Sequence, residues 1–398
     1  MKKLFAVMLV LGLVILGTAA VSAETITVWG MGEEGKNLDE FAEKFEEQNP
    51  DIEVEVQAIP WANAHEKLVT AVAGGTVPDV AQMGTTWMAE FGGIGAFADL
   101  TGYLNDSNLE REQFFEGSFA TNEINEKIYG LPWYVDVRAM YYRSDLLSEV
   151  GYDNPPENWE ELKDASQKLS EKGEYGIDLP NEDEQILLPF IWQNGGEILN
   201  DQGEIIIDSP EAVEALEYYV SFFEEDIAQT EAQGSDTIQE FKTGNKPIFF
   251  SGPWMIDLIK DQAPEIDGKW SVAMMPEKES RTSFTGGSNL VIFEGSDKKD
   301  AAWKFVEFMS QQETQKEWYE ATNALPANQD IWQSDYFADQ PMLEVFGKQL
   351  EDAKAPISVP EWEQVATAIK RRMQQAIYGD STPEESISNL EEDIKGIL

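Results

Sequence analysis

The sequence predicts an α/β protein of two lobes. Strand-period and helix-period segments alternate from Thr25 to Met83, a second series begins at Leu131, and no low-complexity linker or internal repeat divides the 398 residues. Alternation at this spacing argues for a parallel sheet with helices packed on it. A chain of this length ordinarily makes about two domains. Two lobes without a linker imply that the chain crosses between them more than once.

The elements follow in order. Lys2 and Lys3, the apolar run Leu4 to Leu16 and the small residues Val21-Ser22-Ala23 read as a signal peptide over residues 1–23, cleaved before Glu24. The run is too short to span a bilayer comfortably. No second run approaches that length, so no membrane insertion of the mature chain is expected. Thr25 to Trp29 is a β-branched strand. Leu38, Phe41, Ala42 and Phe45 form one apolar helical face over Gly35 to Gln48, ended by Asn49-Pro50. Ile52, Val54, Val56 and Ala58 alternate as a strand. Ala64, Leu68, Ala71 and Val72 mark a helix stopped at Gly74-Gly75, and Pro78 to Met83 is a third strand. Open sheets of this kind bind ligands at the carboxyl ends of their strands, which are Trp29-Gly30-Met31-Gly32 and Gly84-Thr85-Thr86-Trp87 here.

In the second series, Leu131-Pro132-Trp133-Tyr134 leads into a strand whose period of two puts Asp136 and Arg138 on one face. That pair is either structural or, beside Trp133, a grip for hydroxyls. Helices are expected over Trp159 to Leu169 and over Val213 to Ile227, the latter capped by Asp208-Ser209-Pro210. Lys246 to Phe250 reads as a strand. A helix follows it, with Ser251 as N-cap, Pro253 in the first turn and Trp254 at the strand end. Ser283 to Asn289 precedes a strand at Leu290 to Phe293. Its Gly286-Gly287 pair fails as a phosphate loop, because no helix and no Lys-Ser/Thr follows, and it fits a crossing between lobes. Ala301 to Met309, Glu313 to Thr322 and Pro360 to Tyr378 are helical.

Composition excludes several functions. The absence of cysteine removes thiol catalysis, disulfides, thiolate metal sites and a lipid-modified tether. A free exported protein without a tether is best kept in a periplasm. The formal charge is −47, with 75 acids against 28 bases, so nucleic acid and anionic lipid would repel the chain. Such acidity suits concentrated salt, where charges are screened over ~3 Å at 1 M. His65 is the only histidine and is expected on an exposed helix turn. It has no nucleophile motif to serve and no companions for a transition metal. No cofactor is expected.

Six segments, in order and spacing, resemble the extracellular solute-binding proteins of carbohydrate ABC importers, the maltose-binding-protein-like group. They are Thr27-Val28-Trp29 with Phe41 to Phe45 behind it, Val77-Pro78-Asp79-Val80, Tyr141 to Leu147, Ser251-Gly252-Pro253-Trp254, Gly286 to Ile292, and Ala324-Leu325-Pro326-Ala327. The resemblance covers essentially the whole mature chain. It implies a periplasmic-binding-protein-like fold with a ligand cleft between the lobes. The first lobe takes residues 24–137 plus 286–326, and the second takes 138–285 plus 327–398. It implies a monomeric, non-enzymatic receptor that closes on an oligosaccharide and delivers it to the transmembrane permease of an ABC importer. By motif position, Asp136 matches an acidic sugar contact, Trp254 and Trp362 match aromatic contacts, and Glu33, Glu34 and Trp87 lie in contact loops. Trp29, Thr86, Arg138, Trp192, Gly287 and Asn289 complete the candidate ligand set. The segments Asn181 to Gln185 and Trp362 to Ala366 depart from the maltose receptors, which argues against maltose itself.

The chemistry of sugars agrees: aromatic faces take the C–H face of a ring, and carboxylates, amides and Arg take its hydroxyl rim. The rival reading is a secreted glycoside hydrolase, which needs two carboxylates about 5–10 Å apart. With 75 acids, some pair always satisfies that requirement, so the spacing test does not separate the two.

Overall fold

A computed structural model describes residues 23–398 apart from 201, 231–235, 335–336 and 338–339, and does not describe the side chain of Glu33. The predicted signal peptide, Ala23 excepted, lies outside the described residues.

Twelve described strands occur: β1 (Glu24–Met31), β2 (Ile52–Ile59), β3 (Val80–Gly84), a small hairpin of β4 (Glu123–Ile124) and β5 (Lys127–Ile128), β6 (Gly130–Val137), β7 (Ala139–Tyr142), β8 (Ile248–Ser251), β9 (Ser271–Ala273), β10 (Ser283–Ile292), β11 (Leu325–Pro326) and β12 (Ala353–Lys354). They form a larger sheet in the order β11-β6-β10-β3-β1-β2, with β12 paired to the start of β10, and a smaller sheet in the order β8-β7-β9. The fold is α/β with two lobes, as expected.

The larger sheet is parallel across β1, β2 and β3, as expected, and mixed beyond them. β1 runs parallel to β2 and β3, but β10 is antiparallel to both β3 and β6. The cause is the crossing: β10 arrives from the other lobe and enters the sheet at the edge where β1, β3 and β6 end. That edge therefore collects three strand ends and one strand start.

The stretch expected as one strand through Asp136 and Arg138 is divided. β6 ends at Val137 in the larger sheet and β7 begins at Ala139 in the smaller one, so Arg138 is the crossing residue. Gly286-Gly287 lies inside a strand, not before one, and β10 shifts register between Ser288 and Asn289.

The helix after β1 begins at Gly32, three residues earlier than its apolar stripe indicates. Gly32 adopts φ 58°, which turns the chain directly from strand to helix. Glu33 and Glu34 therefore sit in a first helical turn rather than a loop, where the helix dipole favours acids. Ser251 does not cap the next candidate helix; it ends β8, and the helix Trp254–Gln262 starts without a side-chain cap. Ser209 does cap its helix, accepting from the Ala212 N–H at 3.2 Å.

The apolar stripe Leu38, Phe41, Ala42 and Phe45 is buried on the larger sheet, where Phe41 meets Trp318 edge-on at 4.9 Å. A second core gathers Trp159, Leu162, Phe190, Tyr219 and Phe222. The helix Pro341–Glu351 touches strands of both sheets, with Phe346 lying 6.2 Å from Tyr141.

Candidate functional site

Antiparallel pairing explains the centre of the site. Ala139 at the start of β7 is opposite Ser251 at the end of β8. Arg138 therefore falls beside the segment Gly252-Pro253-Trp254, although more than a hundred residues separate them. The Arg138 guanidinium lies over the Trp254 indole, 5.0 Å from its centroid. Arg138 Nη1 donates to Asp136 Oδ1 at 2.8 Å, and Nη2 donates to Gln185 Oε1. Trp254 is 40% exposed, whereas most indoles of this chain are buried. An exposed indole held beside a charge-paired carboxylate has the two surfaces a sugar needs.

Gln185 belongs to the segment in which the sequence departs from the maltose receptors. It is the second residue of a largely buried helix, Glu184–Gln193, whose first turn is capped by Asp183. Beside it, burial raises the Glu184 carboxyl above its ordinary range despite the ion pair with Lys370 at 3.2 Å.

The first-lobe side is built at the ends of β1 and β3. Trp61 opens the helix Trp61–Gly74 and is 39% exposed. Its ring stands 5.7 Å from that of Trp87, and His65 meets Trp87 edge-on at 5.2 Å while pairing with Glu90 at 2.7 Å. His65 is thus half-buried in an aromatic cluster, not on a bare helix turn. Nothing in the sequence patterning marked Trp61; its place directly after the strand-ending Pro60 was the available signal.

Beneath these groups lies a buried polar network. Gln82 accepts from the Met31 N–H at 2.6 Å and donates to Tyr134 Oη and Ser288 Oγ, both at 3.1 Å. It ties the end of β1 and the middles of β3 and β6 to β10. Burial pushes the Tyr134 hydroxyl well above its usual pKa, and the nearby Glu34 carboxylate adds to the shift. The Glu34 carboxylate lies beside Gly32, where a Cβ would stand 3.3 Å from its Oε2, and Thr86 is half-buried in the Thr85–Trp87 turn.

Other candidates are placed elsewhere. Trp29 lies on the sheet face covered by the helix Trp61–Gly74, with the Lys67 ammonium 4.2 Å from its ring centroid. It stops two residues short of the strand end. Trp133, expected beside Asp136, is buried against Trp318 at 4.5 Å. Trp192 stacks on Phe284 at 6.0 Å inside the second core, and Trp362, 2% exposed, opens its helix in the same core. Asn289 is fully buried, accepting from Asn122 at 2.8 Å and donating to Thr121 at 3.1 Å. Gly287, at φ 119°, permits close strand packing: a Cβ there would stand 2.3 Å from the Tyr134 carbonyl oxygen.

The crossing strands have a second side. Gly286 faces Asp136, whereas its neighbour Thr285 faces Gly117 and the rear. A cavity of about 900 Å³ opens there, lined by residues including Phe114, Phe115, Gly117 and Ala353, and holds none of the candidate residues. Among the described residues no cluster of His, Asp and Glu is placed to hold a metal ion, and no helix is long and apolar enough to cross a membrane.

The profile of the bacterial extracellular solute-binding proteins matches residues 29–316. A putative binding protein of Brucella abortus is 30% identical, over 92% of this chain and 90% of its own. The maltotriose-binding protein of Pyrococcus abyssi is 27% identical, over 85% of this chain and 75% of its own. The structure of the sugar-binding protein MalE from Xanthomonas citri superposes with a TM-score of 0.89 at 32% identity, covering 94% of this chain and 97% of that one.

Proposed function

Because the chain belongs to the bacterial extracellular solute-binding proteins, we propose that it is an exported receptor that binds a neutral oligosaccharide between its lobes. It delivers that sugar, unaltered, to an ABC importer. The observation that carries this reading is the exposed Trp254 indole at the crossing, next to the Asp136–Arg138 pair. The indole offers a flat apolar surface and the pair offers hydroxyl partners. Trp61, Trp87 and Glu34 supply the same two kinds of surface on the other lobe. The relatives support the class of ligand, since one binds maltotriose and another is a sugar-binding protein. The pair itself is charge-balanced and the chain is strongly acidic, which disfavours anionic ligands. No comparison supports a glycoside hydrolase.

The receptor acts as a monomer in the periplasm. Its lobes close by a hinge at Arg138 and at the start of β10, the mode usual for two lobes around a ligand. Calorimetry over a panel of neutral oligosaccharides, with chromatography of the recovered sugar and small-angle scattering, tests the reading. Binding, intact sugar and a smaller radius of gyration are expected. Shortened sugars would establish an enzyme, and no binding across the panel would overturn the proposed ligand class.

A further inference from the structure

We infer that Arg138 and Gln185 are positioning residues that hold Trp254 in its binding orientation before any ligand arrives; the inference rests on the sugar-receptor reading.

Trp254 is the first residue of its helix and is 40% exposed. An exposed indole on an uncapped helix start has rotamer freedom that a ligand would have to remove. Three sets of contacts remove it in advance. The first is with Gly252: a Cβ on that residue would stand 1.9 Å from the indole Cζ3, so the ring lies directly on the backbone two residues before it. Only glycine permits this. Tyr141 Oη donates to the Gly252 carbonyl at 2.7 Å and so fixes the surface on which the ring rests.

The second contact is the Arg138 guanidinium over the ring. A cation above an indole is attracted to its π face, but it orients the ring only if the cation is itself held. The third set of contacts does that. Asp136 takes one Nη and Gln185 takes the other, and the Arg138 side chain is only 12% exposed. Arginine's planar fork is required, because two acceptors on two sides fix the plane as well as the charge. A lysine keeps the charge and loses the plane.

Gln185 is equally constrained. Its own N–H donates to Asp183 Oδ1 at 2.9 Å, in the first turn of a helix whose other residues are all buried. The chain of support therefore runs from the second core through Gln185 and Arg138 to Trp254. Asp136 closes it on the side of the larger sheet. A site already ordered does not spend binding energy on ordering itself.

The test uses the mature chain with Gln185→Ala, Gln185→Glu and Arg138→Lys. The first readout needs no sugar: acrylamide quenching of Trp254 fluorescence, isolated by subtracting the Trp254→Phe signal from each background. Quenching of Trp254 rises in Gln185→Ala and Arg138→Lys, and returns toward wild type in Gln185→Glu, whose carboxylate accepts the same hydrogen bond. The second readout is calorimetry with the oligosaccharide that wild type binds. Kd weakens by roughly three- to tenfold in the first two variants and recovers in Gln185→Glu, the scale of one side chain left to be ordered on binding. Unchanged Trp254 quenching in Gln185→Ala and Arg138→Lys overturns the inference. So does altered quenching without rescue by Gln185→Glu. If wild type binds no sugar, the ligand reading fails by itself, and the quenching series still decides whether Trp254 is held.

Discussion

The indole of Trp61 lies across Gly32, so close that a Cβ on the glycine would stand 2.6 Å from the ring Cδ1. The same glycine turns β1 into its following helix at φ 58°. One residue therefore both shapes the strand end and leaves room for an aromatic from another helix. Trp61→Ala is expected to weaken oligosaccharide binding by about 1–3 kcal/mol, on the scale of aromatic stacking against a flat partner, with a smaller change in melting temperature than a fully buried indole would cause, because Trp61 is 39% exposed. Gly32→Ala is expected to weaken binding and also to lower stability, since it strains the backbone and displaces the ring. Calorimetry beside thermal melts separates the two. Equal affinity in Trp61→Ala would remove this residue from the site.

Trp254 and Trp362 share a residue type and differ in burial, 40% against 2% exposed. Opposite consequences follow. Trp254→Ala is expected to weaken binding with a nearly unchanged denaturation midpoint. Trp362→Ala empties a volume in the second core and is expected to cost about 3–5 kcal/mol of stability. Urea titrations of both variants check this. A stable Trp362→Ala variant with lost affinity would return Trp362 to the ligand contacts.

Asp79 carries a pH dependence whose sign is set by its partners. Burial pushes its carboxyl up, but hydrogen bonds from Ser296 at 2.6 Å and from the Thr27 N–H and hydroxyl at 2.8 and 3.1 Å, with Lys298 nearby, bring it below its ordinary value of 3.8. A carboxyl depressed in the folded state stabilises above its unfolded pKa, and that stability is lost as pH falls through the folded value. Asp79→Asn is expected to cost about 1.5–3 kcal/mol at pH 7, the scale of hydrogen bonds to a charged group. The gap to wild type should shrink once pH drops below about 4. Urea unfolding at pH 7 and pH 3 measures both gaps. A constant gap would mean that Asp79 does not titrate on unfolding.

Net charge makes a further prediction. At −47 the chain repels itself, and counter-ions shorten that repulsion from about 10 Å at 0.1 M salt to about 3 Å at 1 M. Melting temperature is expected to rise by several degrees between low and molar NaCl. A flat curve would show that the charges are already dispersed or paired.

Local pattern was enough to read the first three strands with their helices and the apolar stripe of Leu38, Phe41 and Phe45, but not the break between β6 and β7 at Arg138 or the buried helix Glu184–Gln193. The features it did read depend only on a repeat of two or 3.6 residues along one segment. The ordered motifs, from Val77-Pro78-Asp79-Val80 to Ser251-Gly252-Pro253-Trp254, were enough for the family. Which tryptophan meets solvent was decided by tertiary structure alone. Trp29, Trp192 and Trp362 were expected at the ligand alongside Trp254, yet Lys67, Phe284 and the second core cover them, while Trp61, which no pattern marked, meets solvent. Periodicity reports which way a side chain points, not what the fold places in front of it. Gln185 meets Arg138 across 47 residues because a buried helix brings its first turn to the crossing strand, and no spacing along the chain encodes that approach.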